Sequence, residues 1–131
     1  MTVTLIGCGC GSLTAQASAA IEEAEMLIGS RRLLREHGGD RPTREAVTVP
    51  AIMEAIKGAN RENICVLLSG DSGFYSGARL LVPALAGHEL CLLPGISSVQ
   101  QLAARLQRPW QDWLLCSAHG VDCDAVAAVF A

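Results

Sequence analysis

Cys65-Val66-Leu67-Leu68-Ser69-Gly70-Asp71-Ser72-Gly73-Phe74-Tyr75-Ser76-Gly77 is the stretch that decides the fold class of this 131-residue chain. An apolar run stops abruptly at small and polar residues and then opens a helical pattern. The run from Asn63 to Leu68 is almost continuously apolar, as in a strand covered on both faces. Leu92-Leu93-Pro94-Gly95-Ile96-Ser97-Ser98-Val99-Gln100 repeats the arrangement. The β-rich run from Thr2 to Ile6 ends in the same way, at Gly7-Cys8-Gly9-Cys10-Gly11. In an open parallel sheet, loops at the carboxyl ends of strands line the ligand crevice. A chain with several such loops is expected to bind a small molecule there.

Working outward, strands are expected near 2–7, 26–28, 46–49, 63–69, 89–93 and 113–116, with one of these failing to join the sheet. Ser12 or Thr14 can cap a first helix, whose apolar positions Ala17, Ala20, Ile21, Ala24 and Leu27 recur at helical spacing. A short helix is expected from Arg31 to His37, closed by Gly38-Gly39. Residues 40–45 contain Pro42 and read as a loop. Pro50 suits the first turn of a helix over 51–57. Further helices are expected over 74–85, from Ser97 or Ser98 to Gln107, and from Asp122 or Asp124 onward. Alternating strands and helices predict an α/β fold with a mostly parallel five-stranded sheet and helices on both faces, residues 1–131 forming one domain.

The composition narrows the function classes. Half of the residues are hydrophobic, enough for a real core at this length. The net charge of −3 gives no general attraction to nucleic acid. The longest apolar stretch is short of a membrane span, and no signal peptide is evident, so no membrane partner is expected. Of the six cysteines, Cys65, Cys91 and Cys116 fall in apolar, strand-like runs, where cysteine acts as a small hydrophobe. The expectation is a cytoplasmic protein with reduced thiols. Cys8 and Cys10 supply too few ligands for a metal site, so no metal is expected.

Each candidate site residue has a structural and a functional reading. The Gly7–Gly11 loop lacks the spacing of a dinucleotide fingerprint, yet its glycines permit either a plain tight turn or close backbone approach to a ligand. Asp71 either receives ligand donors or caps the helix that follows; the two are compatible. Ser97 and Ser98 sit at a helix start, where exposed N–H groups can face a ligand or be capped. Arg31, Arg32 and Arg35 form a basic cluster that suits an acidic substrate or a solvated helix face. His119 is the best lone candidate for polar chemistry. No nucleophile–base pair is evident.

Taken together, these segments resemble the tetrapyrrole methylase family. The resemblance is carried, in order, by the glycine-rich first loop, Ala24-Glu25-Met26-Leu27-Ile28-Gly29-Ser30, Leu68-Ser69-Gly70-Asp71-Ser72-Gly73-Phe74-Tyr75, Pro94-Gly95-Ile96-Ser97-Ser98-Val99-Gln100 and Ser117-Ala118-His119-Gly120. The wording Ile28-Gly29-Ser30-Arg31-Arg32-Leu33-Leu34 looks like the branch that methylates precorrins at C5, or at C5 and C15, in cobalamin biosynthesis. The resemblance implies S-adenosyl-L-methionine as cofactor, with contacts from Cys10, Ser69, Gly70, Asp71, Phe74, Ser97 and Ser98. Arg31, Arg32 and His119 are the expected substrate-binding residues, and a precorrin-type tetrapyrrole the expected substrate. The resemblance further suggests a homo-oligomer and a decarboxylating methyltransferase partner. Cys10 and Ser72 depart from the family, which usually has proline at both positions. The family's carboxy-terminal domain is expected to be absent and this chain inactive alone; apolar Val126, Val129 and Phe130 then predict self-association or a domain–domain contact. The alternative is a non-enzymatic module that binds tetrapyrrole or a partner.

Overall fold

A computed structural model describes residues 1–117. The chain alternates β1 (Thr2–Gly7), α1 (Ala15–Glu23), β2 (Met26–Gly29), α2 (Arg31–His37), β3 (Thr43–Glu45), α3 (Val49–Ala59), β4 (Asn63–Leu68), α4 (Ala78–Ala84), β5 (Glu89–Leu93) and α5 (Ser98–Arg105). The five strands form one sheet in the order β3-β2-β4-β1-β5. Every pairing is parallel.

The alternating sides of the strands account for the two cores. Val3, Leu5, Met26, Ile28, Ile64 and Val66 point to one face, where they pack with Ile52, Ala55 and Ile56 of α3 and with Ala78 and Leu81 of α4. Ile6, Leu27, Cys65 and Leu67 point to the other, against Ala17 and Ile21 of α1 and Leu33 of α2. Both faces are buried, so the central strands read as unbroken apolar runs.

Four of the six expected strands pair as expected. The exception among the five that form is β3. It lies at Thr43–Glu45, in the segment read as a loop, and pairs Leu27 with Thr43. It is an edge strand with exposed side chains, so it carries no apolar signature. Residues 46–49 instead lead into α3, where Thr48 caps the helix by accepting from the Ala51 N–H at 3.4 Å. Residues 113–116 form no strand.

Helix α4 also starts later than expected. Tyr75 has φ 46°, a left-handed backbone that no helix interior accepts, so residues 74–77 turn rather than coil. Helix α3 is longer than expected at both ends, and α5 ends at Arg105, followed by Gln107 at φ 55°. Thr14, not Ser12, caps α1, accepting from the Ala17 N–H at 3.1 Å. His119, the expected helix after Asp122 and the residues Val126, Val129 and Phe130 lie outside the described residues.

Candidate functional site

The sheet order creates a switch point between β1 and β4. From β1 the chain passes through α1 to β2, on one side; from β4 it passes through α4 to β5, on the other. Helices α1 and α4 pack on opposite faces. Such a divergence opens a crevice at the carboxyl ends of the strands.

The loops after β1, β4 and β5 meet there with their backbones in contact. A Cβ on Gly7 would lie 2.7 Å from the Ser72 nitrogen and 2.8 Å from both the Gly70 oxygen and the Gly95 nitrogen. A Cβ on Gly95 would collide with the carbonyls of Gly70 and Gly7. Cys8 donates its N–H to the Leu68 carbonyl at 2.8 Å, and Gly9 donates to Gly70 at 2.9 Å. Gly9 and Gly70, at φ 67° and 65°, adopt the left-handed backbone that glycine allows without a Cβ penalty.

A cavity of about 520 Å³ opens on this junction, lined by Gly9, Cys10, Arg32, Ser69, Gly70, Asp71, Phe74, Tyr75, Ser97, Ser98, Val99, Cys116 and Ser117. Its volume lies within the ~300–1,000 Å³ usual for small-ligand sites. All seven residues named as cofactor contacts from the sequence line it. They come from three loops spread over the chain, and the sheet alone brings them together.

The side chains differ in what they have left to offer. Ser97 caps α5 through a reciprocal pair: its Oγ accepts from the Gln100 N–H at 3.2 Å, and Gln100 Oε1 accepts from the Ser97 N–H at 2.8 Å. Ser98, the next residue, is exposed. Ser69 Oγ accepts from Arg32 Nη2 at 3.3 Å, while Arg32 Nη1 pairs with Glu36 at 3.1 Å. Cys10 Sγ lies 3.7 Å from the Ile96 carbonyl. Phe74 and Tyr75 meet edge to face, with centroids 4.9 Å apart.

The expected basic cluster divides. Arg32 reaches the cavity, whereas Arg31 pairs with Glu45 of β3 at 3.2 Å and lies outside its lining. Tyr75 and Val99 escape the sequence reading, although both adjoin residues it names. Cys116 enters from a segment read as a strand, and Ser117 from the loop expected after it. Only the glycine run hinted at Gly9.

Burial separates the thiols. Cys8 and Cys65 are buried, and desolvation pushes both thiols up to about 11, whereas Cys10, Cys91 and Cys116 are exposed. Among the described residues, no group of three or more His, Cys, Asp or Glu side chains could hold a metal. No described helix is long and apolar enough to cross a membrane.

Comparison with known proteins agrees with the geometry. The sequence pattern of the tetrapyrrole (corrin/porphyrin) methylases matches residues 2–128. The cobalt-precorrin-7 C(5)-methyltransferase of Salmonella typhimurium is 34% identical over 124 residues, covering 90% of this chain and 61% of that protein. The crystal structure of the precorrin-6Y methylase of Archaeoglobus fulgidus superposes with a TM-score of 0.67 at 29% identity, covering 83% of this chain and 59% of the other. That of the methyltransferase CobJ gives 0.71 at 27% identity, covering 82% and 51%. The chain thus spans about three-fifths of the length of the curated relative. Matched over nearly its whole length, the chain belongs to the tetrapyrrole (corrin/porphyrin) methylase family.

Proposed function

We propose that residues 1–131 are the amino-terminal domain of an S-adenosyl-L-methionine-dependent methyltransferase that acts on a precorrin at C5 in cobalamin biosynthesis. The observation that carries this reading is the convergence of Cys10, Ser69, Gly70, Asp71, Phe74, Ser97 and Ser98 on one cavity.

The lining fits the cofactor's chemistry. Phe74 and Tyr75 offer aromatic surface to a purine, Ser98 an exposed hydroxyl to a ribose or amino-acid group, and the glycine junction close backbone approach. When bound, the cofactor supplies an electrophilic methyl group. The residues of this chain orient it and hold the macrocycle's reacting carbon nearby. Positioning of this kind supplies much of a transfer reaction's acceleration. In this reading Arg32, which lines the cavity and pairs with Glu36, receives a substrate carboxylate. His119 belongs to the same proposal as a substrate contact. The reading also includes a cytoplasmic location, self-association and a decarboxylating methyltransferase as partner.

Calorimetric titration with S-adenosylhomocysteine tests it. The chain is expected to bind at one site, and Gly70→Val, which forces a β-branched residue into a left-handed backbone beside the cavity, is expected to abolish binding. Absence of saturable binding by the unaltered chain would remove the proposed cofactor. Saturable binding of a tetrapyrrole alone would favour the binding-module reading.

A further inference from the structure

We infer that Asp71 is a positioning residue, whose carboxylate sets the spacing between two walls of the cavity instead of accepting donors from the ligand. Its Oδ1 accepts from the Gly95 N–H and its Oδ2 from the Gly73 N–H, both at 3.0 Å. One oxygen therefore folds its own loop, and the other reaches 24 residues along the chain to the loop after β5.

A second bond spans the same gap. Ser72 is buried, and its Oγ donates to the Leu93 carbonyl at 3.0 Å. Adjacent residues thus face the end of β5 and the loop after it, Ser72 donating to the strand's last residue and Asp71 accepting from the loop's backbone. The wall after β4 carries Ser69, Gly70 and Phe74; the wall after β5 carries Ser97 and Ser98. Gly95 sits against the carbonyls of Gly7 and Gly70, so a shift of its loop would move the third wall as well. Helix capping does not explain the carboxylate, because α4 begins only at Ala78. A charged acceptor facing two backbone donors makes stronger bonds than neutral pairs do, and it needs no ligand to make them.

This inference rests on the proposed function only for what occupies the cavity. Amide exchange followed by NMR, without ligand, tests the geometry, and calorimetry with S-adenosylhomocysteine tests the consequence. In the unaltered chain the Gly73 and Gly95 amides should exchange slowly. Asp71→Ala should raise both rates by about tenfold or more, and Asp71→Asn, whose side chain keeps one acceptor oxygen, should raise one of them. Protection at Leu5 and Val66 in the sheet should persist and show that the variants fold. The dissociation constant should rise about tenfold in Asp71→Ala, as expected for losing charge-assisted bonds.

Unchanged exchange in Asp71→Ala would overturn the inference. So would lost affinity with unchanged exchange, which would assign the carboxylate to the ligand, and so would faster exchange with unchanged affinity. If the unaltered chain does not bind, the proposed function fails, while the ligand-free exchange pattern still decides the placement of the loops.

Discussion

Glycine does different work at different points of this chain. At Gly95 a methyl group would meet the carbonyls of Gly7 and Gly70, backbone atoms that cannot swing aside as a side chain can. At Gly58, inside α3, a methyl group would meet nothing within 4 Å. Gly95→Ala is therefore expected to destabilise the protein by about 1–3 kcal/mol, the usual cost of overpacking. Gly58→Ala should stabilise it by about 0.5–1 kcal/mol, through helix propensity and a less flexible unfolded chain. Urea denaturation of both variants checks the pair; equal effects would mean that the glycine junction is looser than it looks. The sequence shows glycines at both places but not which of them is crowded, because the neighbours of Gly95 lie 25 and 88 residues away in the chain.

At the scale of elements, legibility follows burial. Strands β1, β2, β4 and β5 are readable because their runs are apolar or close to it. Strand β3 is not, because an edge strand with exposed side chains has no core to face. The start of α4 is hidden by the left-handed Tyr75, a conformation that nothing in the residue type announces. The candidate site is legible as a set of loops after strands. The bonding of Asp71 is not, since its partner Gly95 is distant in sequence.

The buried thiols make stability depend on pH. Cys65 donates to the Ala20 carbonyl of α1 at 3.5 Å, and Cys8 lies in the same core. Their folded-state values of about 11 exceed the ordinary 9.0, so between those limits the folded chain holds protons that the unfolded chain releases. Stability from these thiols is full below pH 9 and is lost as pH rises toward 11. The thermal midpoint should fall over that window, and less steeply in a Cys8→Ala, Cys65→Ala double variant. Identical slopes would contradict the assignment.

Over the whole molecule, two cores on opposite faces of one parallel sheet hold three loops at a single junction. The parallel topology is what gathers residues 9–10, 69–75 and 97–99 around one cavity. The family assignment rests on nearly the full chain, and the proposed chemistry rests on that cavity. Chemical-shift mapping of the 131-residue chain with S-adenosylhomocysteine shows whether these loops hold the cofactor. Saturable shifts are expected, centred on Gly9, Ser69, Gly70, Ser97 and Ser98, with the far ends of the strands, at Thr2 and Asn63, unmoved. Saturable shifts centred away from these loops, or none at millimolar ligand, would rule out a cofactor site at this junction.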